Sequence, residues 1–342
     1  MSDSDSLRIP YAVPSAVVET LRAAKHLVVA GHVTPDADCL GSILGTARVL
    51  QAGLGCRAEP AVAGGDVPRR LRFMIEMAGM PVVTGAVGPA ADTALILDTA
   101  KSSRVNVPGD WAGIQAPGRK LVNIDHHASN QGYAPVNWVV GTASSTSEIV
   151  YWLIQEMGLP IDVTTASLLY CGIWGDTAGF SLPNTGGSAL QAAAGLVAVG
   201  VDVEYIGQHM CRSIAPGEFQ LQRIVYDNTR VVAGSRIAYS TIDHEELSST
   251  GCTAVDIDDQ VEIPRRLDGS YIAMLFSEGH RGKIRINLRG ERGTNVLPLA
   301  QRLGGGGHDK AAGAIIDGTI PDVVARVLAE AEAYLDQLSV GT

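Results

Sequence analysis

A histidine and two aspartates fall within seven residues, His32, Asp36 and Asp38 in HVTPDAD, directly after the short apolar run HLVVA. A tight turn leaving a strand can aim one imidazole and two carboxylates at a single point. Nitrogen and oxygen donors of this kind suit Mn2+ or Mg2+, with Zn2+ and Co2+ also within their range. Alone, the motif reads more readily as a helix cap and a turn residue beside an ordinary histidine. Asp98 at the end of ALILD, Asp125-His126-His127 at the end of LVNID, and Asp176 near the end of LLYCGIWGD change the balance, because nearly all follow apolar runs. Asp125 is placed to orient a ligand. Neighbouring residues leaving a strand point in different directions, so one imidazole of the His126-His127 pair can meet a metal while the other faces substrate.

The elements that must position these groups follow from the apolar pattern. PSAVVETLRAA has helical spacing, HLVVA reads as a strand, and a helix is expected to start just after Asp38 and run to Gly53. ALILD and LVNID repeat the strand-to-acid grammar. Strands of an open parallel sheet deliver their carboxyl ends to one edge, where ligands bind, so acids far apart in sequence can converge there. STSE (145–148) offers a capping box before EIVYWLIQEMG, and SALQAAAGLVAVG continues helical. From Gln220 the runs RIVYD, RVVAG, RIAYSTID, YIAMLF and KIRINLR read as strands, followed by LGGGGHDKAAG and a closing helix whose Val324, Val327, Ala331, Leu335 and Leu338 share one face. The division expected is 1–187 for the metal-binding domain, 188–215 for a helical linker and 216–342 for a smaller α/β domain.

At 342 residues, 46% hydrophobic and 18% charged, the chain is long enough for two cores. Abundant glycine and few aromatics favour helices packed on a sheet, hence the α/β class. A net charge of -10 argues against binding long duplex nucleic acid and leaves short or single nucleotides open. Five widely spaced cysteines read as reduced thiols. The acidic start MSDSDSLRIP has no secretory character and no apolar run reaches membrane-spanning length, so a cytoplasmic location without a membrane partner is expected.

Together HVTPDAD, LILD, IDHH and GIWGDT resemble the four motifs of the DHH phosphoesterase family, in the family's order over most of residues 25–185. LGGGGHDKAAG resembles the glycine-rich motif of the DHHA1 domain that accompanies one branch of it. The layout is most similar to the compact members of that branch, the nanoRNases that also act as 3′-phosphoadenosine 5′-phosphate phosphatases. The resemblance implies an N-terminal DHH domain with a mainly parallel sheet flanked by helices and a C-terminal DHHA1 domain with a mixed sheet. It implies one metal held by His32, Asp36 and Asp98 and a second by Asp38, Asp98, His126 and Asp176. Asp125 would orient a histidine, and His127 would meet a substrate phosphate or the leaving oxygen. A homodimer is also expected from the family.

The chemistry implied is hydrolysis of phosphoester bonds in short oligoribonucleotides and in 3′-phosphoadenosine 5′-phosphate, by a water activated between two divalent ions, Mn2+ first among them. A cyclic-dinucleotide phosphodiesterase, acting on cyclic di-AMP or its linear product, would use the same metals. A non-catalytic nucleotide-binding regulator would be marked by loss of a ligand, and every ligand position is filled. Substrate contacts are expected from Gly305, Gly306, Gly307 and His308, whose backbone N–H groups could close on a phosphate, and from Arg285 and Arg104. Arg104 reads equally well as a solvated loop arginine. Relatives commonly carry Ser-x-Arg-Ser before the glycine motif, whereas KIRINLRG has Arg285 and Asn287 at the matching places, with Arg289 nearby. An arginine that commonly follows the phenylalanine after the fourth motif is replaced by Ser181.

Overall fold

The computed structural model describes residues 9–62, 67–84, 90–105, 114–115, 117–212 and 214–340. They fall into two compact units, drawn from Met1–Ser213 and Ile214–Thr342. The first contains α1 (Ser15–Ala23), β1 (His26–Ala30), α2 (Ala37–Leu54), β2 (Arg57–Ala61), α3 (Arg72–Ala78), β3 (Thr93–Leu97), β4 (Lys120–Asp125), β5 (Val136–Val139), α4 (Thr146–Met157), α5 (Val163–Asp176), α6 (Gly187–Val199) and α7 (Val203–Gly207). Its strands pair in the order β2-β1-β3-β4-β5, all parallel. β3 is buried at every position, as a parallel strand covered on both faces must be. Ala30 pairs with Ile96 and Leu97 with Ile124, so the chain leaves β1, β3 and β4 side by side at one edge.

The long helix α2 starts two residues earlier than the apolar pattern suggests. Asp36 is its N-cap, accepting from the Cys39 N–H, and Asp38 lies inside the first turn. Gly55, with φ 67, closes it. α2 packs on α5 and α4 at a point where bulk is not tolerated. A Cβ on Gly172 of α5 would lie 2.0 Å from Ser147 Oγ and 2.8 Å from Asp38 Oδ1, so glycine there lets three helix segments meet around an acid. Ser145 caps α4, but Glu148 does not complete the box. Its carboxylate is taken by Ser144, through N–H and Oγ, and by the Tyr11 hydroxyl. Of the segment expected as a helical linker, residues 188–212 pack within this unit, with Ala189, Ala192, Ala193 and Leu196 of α6 in its core.

The second unit contains α8 (Pro216–Asp227), β6 (Arg230–Val232), β7 (Ile237–Ile242), α9 (His244–Thr250), α10 (Ala254–Ile257), α11 (Glu262–Arg265), β8 (Ile272–His280), β9 (Lys283–Gly290), α12 (Leu297–Arg302), β10 (Gly306–Gly307), β11 (Ala311–Asp317) and α13 (Ile320–Val340). The sheet order is β10-β11-β9-β8-β7-β6, mixed because β7 and β8 are parallel and the other pairs antiparallel. RIVYD is not a strand but the end of α8. Pro216 starts that helix, and the four-residue spacing of Leu221 and Val225 buries one side of it. On α13, Val324, Val327, Ala331 and Leu335 are buried as expected, whereas Leu338 is exposed one turn further on. Among the described residues no helix is long and apolar enough to cross a membrane.

Candidate metal centre

At the carboxyl edge of the first sheet, His32 lies two positions after β1 and is buried. Its Nδ1 donates to the Val33 carbonyl at 2.9 Å. That bond leaves Nε2 directed at acids: 3.3 Å from Asp98 Oδ2 and 3.8 Å from Asp36 Oδ2. Asp36 spends Oδ1 on the α2 cap, keeps Oδ2 toward His32 and is half exposed.

Asp98 sits immediately after β3 with φ 52, in the left-handed region. Such backbone costs a non-glycine residue about 1–2 kcal/mol and is most accessible to Asn and Asp. It turns a wholly buried carboxylate so that its two oxygens face opposite partners. Oδ2 meets His32, while Oδ1 lies 3.4 Å from His126 Nε2, 3.6 Å from His127 Nδ1 and 3.1 Å from the donating Thr146 hydroxyl. His126 Nε2 is also 3.2 Å from Asp176 Oδ2, at the last residue of α5. Asp38, wholly buried, accepts the N–H groups of Thr146 and Ser147, at 2.6 and 2.8 Å, from the N-terminus of α4. The N-terminus of α4 thus faces this carboxylate, a placement that favours negative charge.

The electrostatics show what the donor set lacks. Burial, then Asp98, pushes the Asp38 carboxyl up to about 7, although His126 opposes it. Burial and the neighbouring Asp38 and Asp36 raise Asp176 well above the usual carboxylate range. Burial also opposes ionisation of Asp98, but His126 and His32 overcome it and hold that carboxyl well below its ordinary value. The same attraction works in reverse on the rings. Burial disfavours charge on His126, yet Asp98, Asp176 and Asp38 raise it strongly. His32 is likewise raised against burial, with Cys39, Asp98 and Asp36 around it. Four acids brought this close cannot all ionise without positive charge among them, and in the protein alone that charge is protons on histidines. A bound cation could supply it instead. An ion about 2.0–2.2 Å from N and O donors sets them about 3–3.6 Å apart, the scale of the 3.2–3.6 Å separations found here.

The structure therefore brings His32, Asp36, Asp38, Asp98, His126 and Asp176 into one cluster, Asp36 touching it through His32. Ligand atoms of Asp38, His126 and Asp176 lie within 4.8 Å of one another, as do those of Asp98, His126 and His127. Asp125 stands behind the cluster. Its Oδ1 accepts from His127 Nδ1 at 2.7 Å and from the His127 N–H, and its Oδ2 accepts from Asn130 Nδ2 at 2.7 Å. Asn130 Nδ2 also reaches Asn123 Oδ1, whose amide donates to the carbonyl of Ile96. Burial opposes charge on His127, and Asp125 with Asp98 raises it.

Sequence reasoning missed this asparagine pair, the Thr146-Ser147 cradle and Cys39. Asn123 alone carried a signal, as a polar residue inside an apolar strand two positions before Asp125. Arg104 lies in the turn beside His32, where its carbonyl accepts the Val33 N–H, with its side chain exposed.

The expected substrate contacts of the second unit look different from a loop waiting for phosphate. Gly306 and Gly307 form β10, paired with Gly313 and Ala312 of β11. The Gly305 N–H donates to Ala300 O at 2.8 Å and the His308 N–H to Ala311 O at 2.7 Å, so these two amides are already satisfied. Asn287 pairs with Gly313, placing it in one row with Gly306 across the sheet. Arg285 Nη2 and Asn287 Nδ2 both donate to the Asp258 carboxylate, at 2.7 and 3.2 Å, while Arg289 faces Glu262.

With this geometry in hand, comparison with known proteins is specific. The sequence model of the DHH family, N-terminal domain, matches residues 26–173 and that of the DHHA1 domain residues 234–337. The chain is 30% identical over 303 residues to a bifunctional oligoribonuclease and PAP phosphatase of Thermus thermophilus, covering 88% of each protein. Against its namesake in Bacillus subtilis it is 26% identical over 92% of this chain and 96% of that one. It is also 27% identical to a cyclic-di-AMP phosphodiesterase of Geobacillus thermodenitrificans, over 90% of this chain but 47% of that protein. An exopolyphosphatase-related protein from Bacteroides fragilis shares the fold, with a TM-score of 0.82 at 23% identity over 95% of this chain and 96% of that chain. The two matched domains and the long alignments agree with the site: the chain belongs to the DHH family of phosphoesterases, in its DHHA1-bearing branch.

Proposed function

We propose that this protein hydrolyses phosphoester bonds in short oligoribonucleotides and in 3′-phosphoadenosine 5′-phosphate, using two divalent cations. His32, Asp36 and Asp98 would hold one, and Asp38, Asp98, His126 and Asp176 the other. The observation that carries this reading is the Asp98 carboxylate, with one oxygen toward His32 and the other toward His126. When bound, the ions would activate water and neutralise charge building on the phosphoryl group, and the oxygen-rich donor set makes Mn2+ the first ion to test.

The chain's own residues supply the rest. Asp125 engages His127 Nδ1, leaving Nε2 as the atom that donates to a phosphoryl or leaving oxygen, and the raised pKa keeps a proton on the ring for that purpose. Beyond the ends of β3 and β4 lies a cleft of about 440 Å³ whose walls include Lys101, Ser102, Ser129, Gln131 and Tyr133. That volume suits a nucleotide-sized ligand. In the second unit, Arg285, Asn287 and the row through Gly306 and Gly313, with Gly305, Gly307 and His308 beside it, form the candidate substrate face. There side chains, rather than the satisfied amides of Gly305 and His308, would meet the anion.

Similarity to cyclic-di-AMP phosphodiesterases supports a second reading with the same metals. The oligoribonuclease relatives match over nearly their whole length, which favours the first. Purified protein with Mn2+ is expected to turn over dinucleotides, short RNA and 3′-phosphoadenosine 5′-phosphate with higher kcat/KM than cyclic di-AMP. Asp98→Ala is expected to abolish turnover of all of them. Undiminished hydrolysis by that variant overturns the two-metal reading. A homodimer in the reducing cytoplasm, where five free thiols persist, completes the proposal, and light scattering tests the assembly.

A further inference from the structure

Cys39 is the third residue of α2, between the turn that carries Asp36 and Asp38 and the end of β1. Its sulfur is wholly buried, and its N–H is held by Asp36 Oδ1 at 2.9 Å. Sγ, a ring nitrogen of His32 and a carboxylate oxygen of Asp98 all lie within 4.8 Å of one another. The sulfur makes a long approach to the His32 carbonyl, 4.0 Å, and also interacts with the His32 ring. It fills the hollow left by Gly31, where a Cβ would come within 2.4 Å of it. The same turn that aims two carboxylates at the cluster therefore delivers a thiol to the His32 side of Asp98.

We propose that Cys39 is a sulfur ligand to the cation held by His32 and Asp98, and that it makes this position prefer a borderline ion, Zn2+ or Co2+, over Mn2+ or Mg2+. The inference rests on the cation-binding reading above and sharpens it. Coordination replaces the S–H bond by a metal–sulfur bond and sends the proton to solvent. An ion with one bond of about 2.3 Å to sulfur and others of about 2.0–2.2 Å to nitrogen and oxygen spans about 3–4.4 Å between ligand atoms, the scale of this cluster. Asp38, His126 and Asp176 offer only oxygen and nitrogen, so the two positions would differ in metal preference, as sulfur selects softer ions. In the competing arrangement Cys39 is a small apolar filler beside Ile43, and sulfur never meets metal.

Metal-stripped full-length protein loaded with Co2+ distinguishes them. Visible d–d absorption reports that the ion has bound, and a near-ultraviolet thiolate-to-cobalt band reports sulfur. The band is expected in the wild type and in Cys211→Ser, and it is expected to vanish in Cys39→Ser with visible absorption retained. Zinc K-edge fine structure of the wild type is expected to show a sulfur shell at about 2.3 Å, a reading that does not depend on a variant folding. In competition titrations Cys39→Ser should lose about 10–100-fold in Zn2+ affinity relative to Mn2+, no less than loss of an outer partner costs. Visible absorption without the thiolate band, or a band that survives Cys39→Ser, overturns the sulfur ligand and leaves the two-cation reading standing. Absence of any bound cobalt or manganese overturns that reading itself.

Discussion

Replacing Asp125 by asparagine keeps the shape of a buried side chain and removes its charge. In the native protein Oδ1 accepts from His127 Nδ1 at 2.7 Å and Oδ2 from Asn130 Nδ2 at 2.7 Å, so both oxygens face donors. An amide cannot satisfy both, because its NH2 must point either at His127 or at Asn130. The bond to His127 is charge-assisted, worth about 1.5–3 kcal/mol, which at about 1.36 kcal/mol per decade is roughly 10- to 100-fold in kcat if the ring acts as proposed. His127 is raised by Asp125 and Asp98 against its burial, so losing the Asp125 charge lowers it. Activity that needs a proton on Nε2 is lost as pH rises through that pKa, and Asp125→Asn must therefore shift the basic limb of the kcat profile to lower pH. Asp125 is not among the clustered cation donors, so metal stoichiometry should stay at the wild-type value. Steady-state kinetics across pH, with metal content by mass spectrometry, checks this. A kcat within twofold of wild type, or an unmoved basic limb, refutes the role given to the Asp125–His127 pair.

Gly172→Ala adds about 1 kcal/mol of helix propensity, but its Cβ would meet Ser147 Oγ at 2.0 Å and Ser147 Cβ at 2.7 Å. Overpacking costs about 1–3 kcal/mol and should win, lowering the thermal midpoint; an unchanged or higher midpoint contradicts the packing. Cation affinity should weaken as pH falls, since raised His32 and His126 carry protons that an incoming ion must displace. Calorimetry in buffers of different ionisation enthalpy should record proton release on Mn2+ binding, and a pH-independent affinity would contradict it. Lys101→Ala should raise KM for dinucleotides several-fold at unchanged kcat if the cleft beside β3 and β4 holds substrate; equal KM values remove the cleft from the site.

The edge of the first sheet was readable because buried parallel strands have little room for polar residues. Runs such as ALILD and LVNID announce both the strand and the acid at its end, and the pairing of Leu97 with Ile124 then places those ends together. What surrounds the acids was not readable. Asp38 is held by Thr146 and Ser147, more than a hundred positions away, and a cap sequence names the helix it starts, not the carboxylate it faces. The Ser145–Glu148 box failed for a related reason, since Glu148 found better partners in Ser144 and Tyr11. RIVYD fits a strand and a helix end alike, because three apolar residues between two charges carry no period, and Pro216 with the Leu221–Val225 spacing decides between them only over a longer window.

The glycine run and Cys39 show the same limit from opposite sides. A sequence with four glycines states that backbone can come close to something, and here part of that freedom serves β11 and α12, through Gly306, Gly307 and the Gly305 amide. A sequence with one cysteine beside two aspartates states nothing about where its sulfur points. Direction is set by the Asp36 cap, which fixes the Cys39 backbone, and by Gly31, which leaves the sulfur its space. Composition fixed the donor inventory as nitrogen and oxygen only while Cys39 was read as an ordinary thiol. Once α2 begins at Ala37 rather than after Asp38, the third residue of its first turn comes within reach of His32, and the metal preference of that position becomes a question of one sulfur atom's orientation rather than of the acids around it.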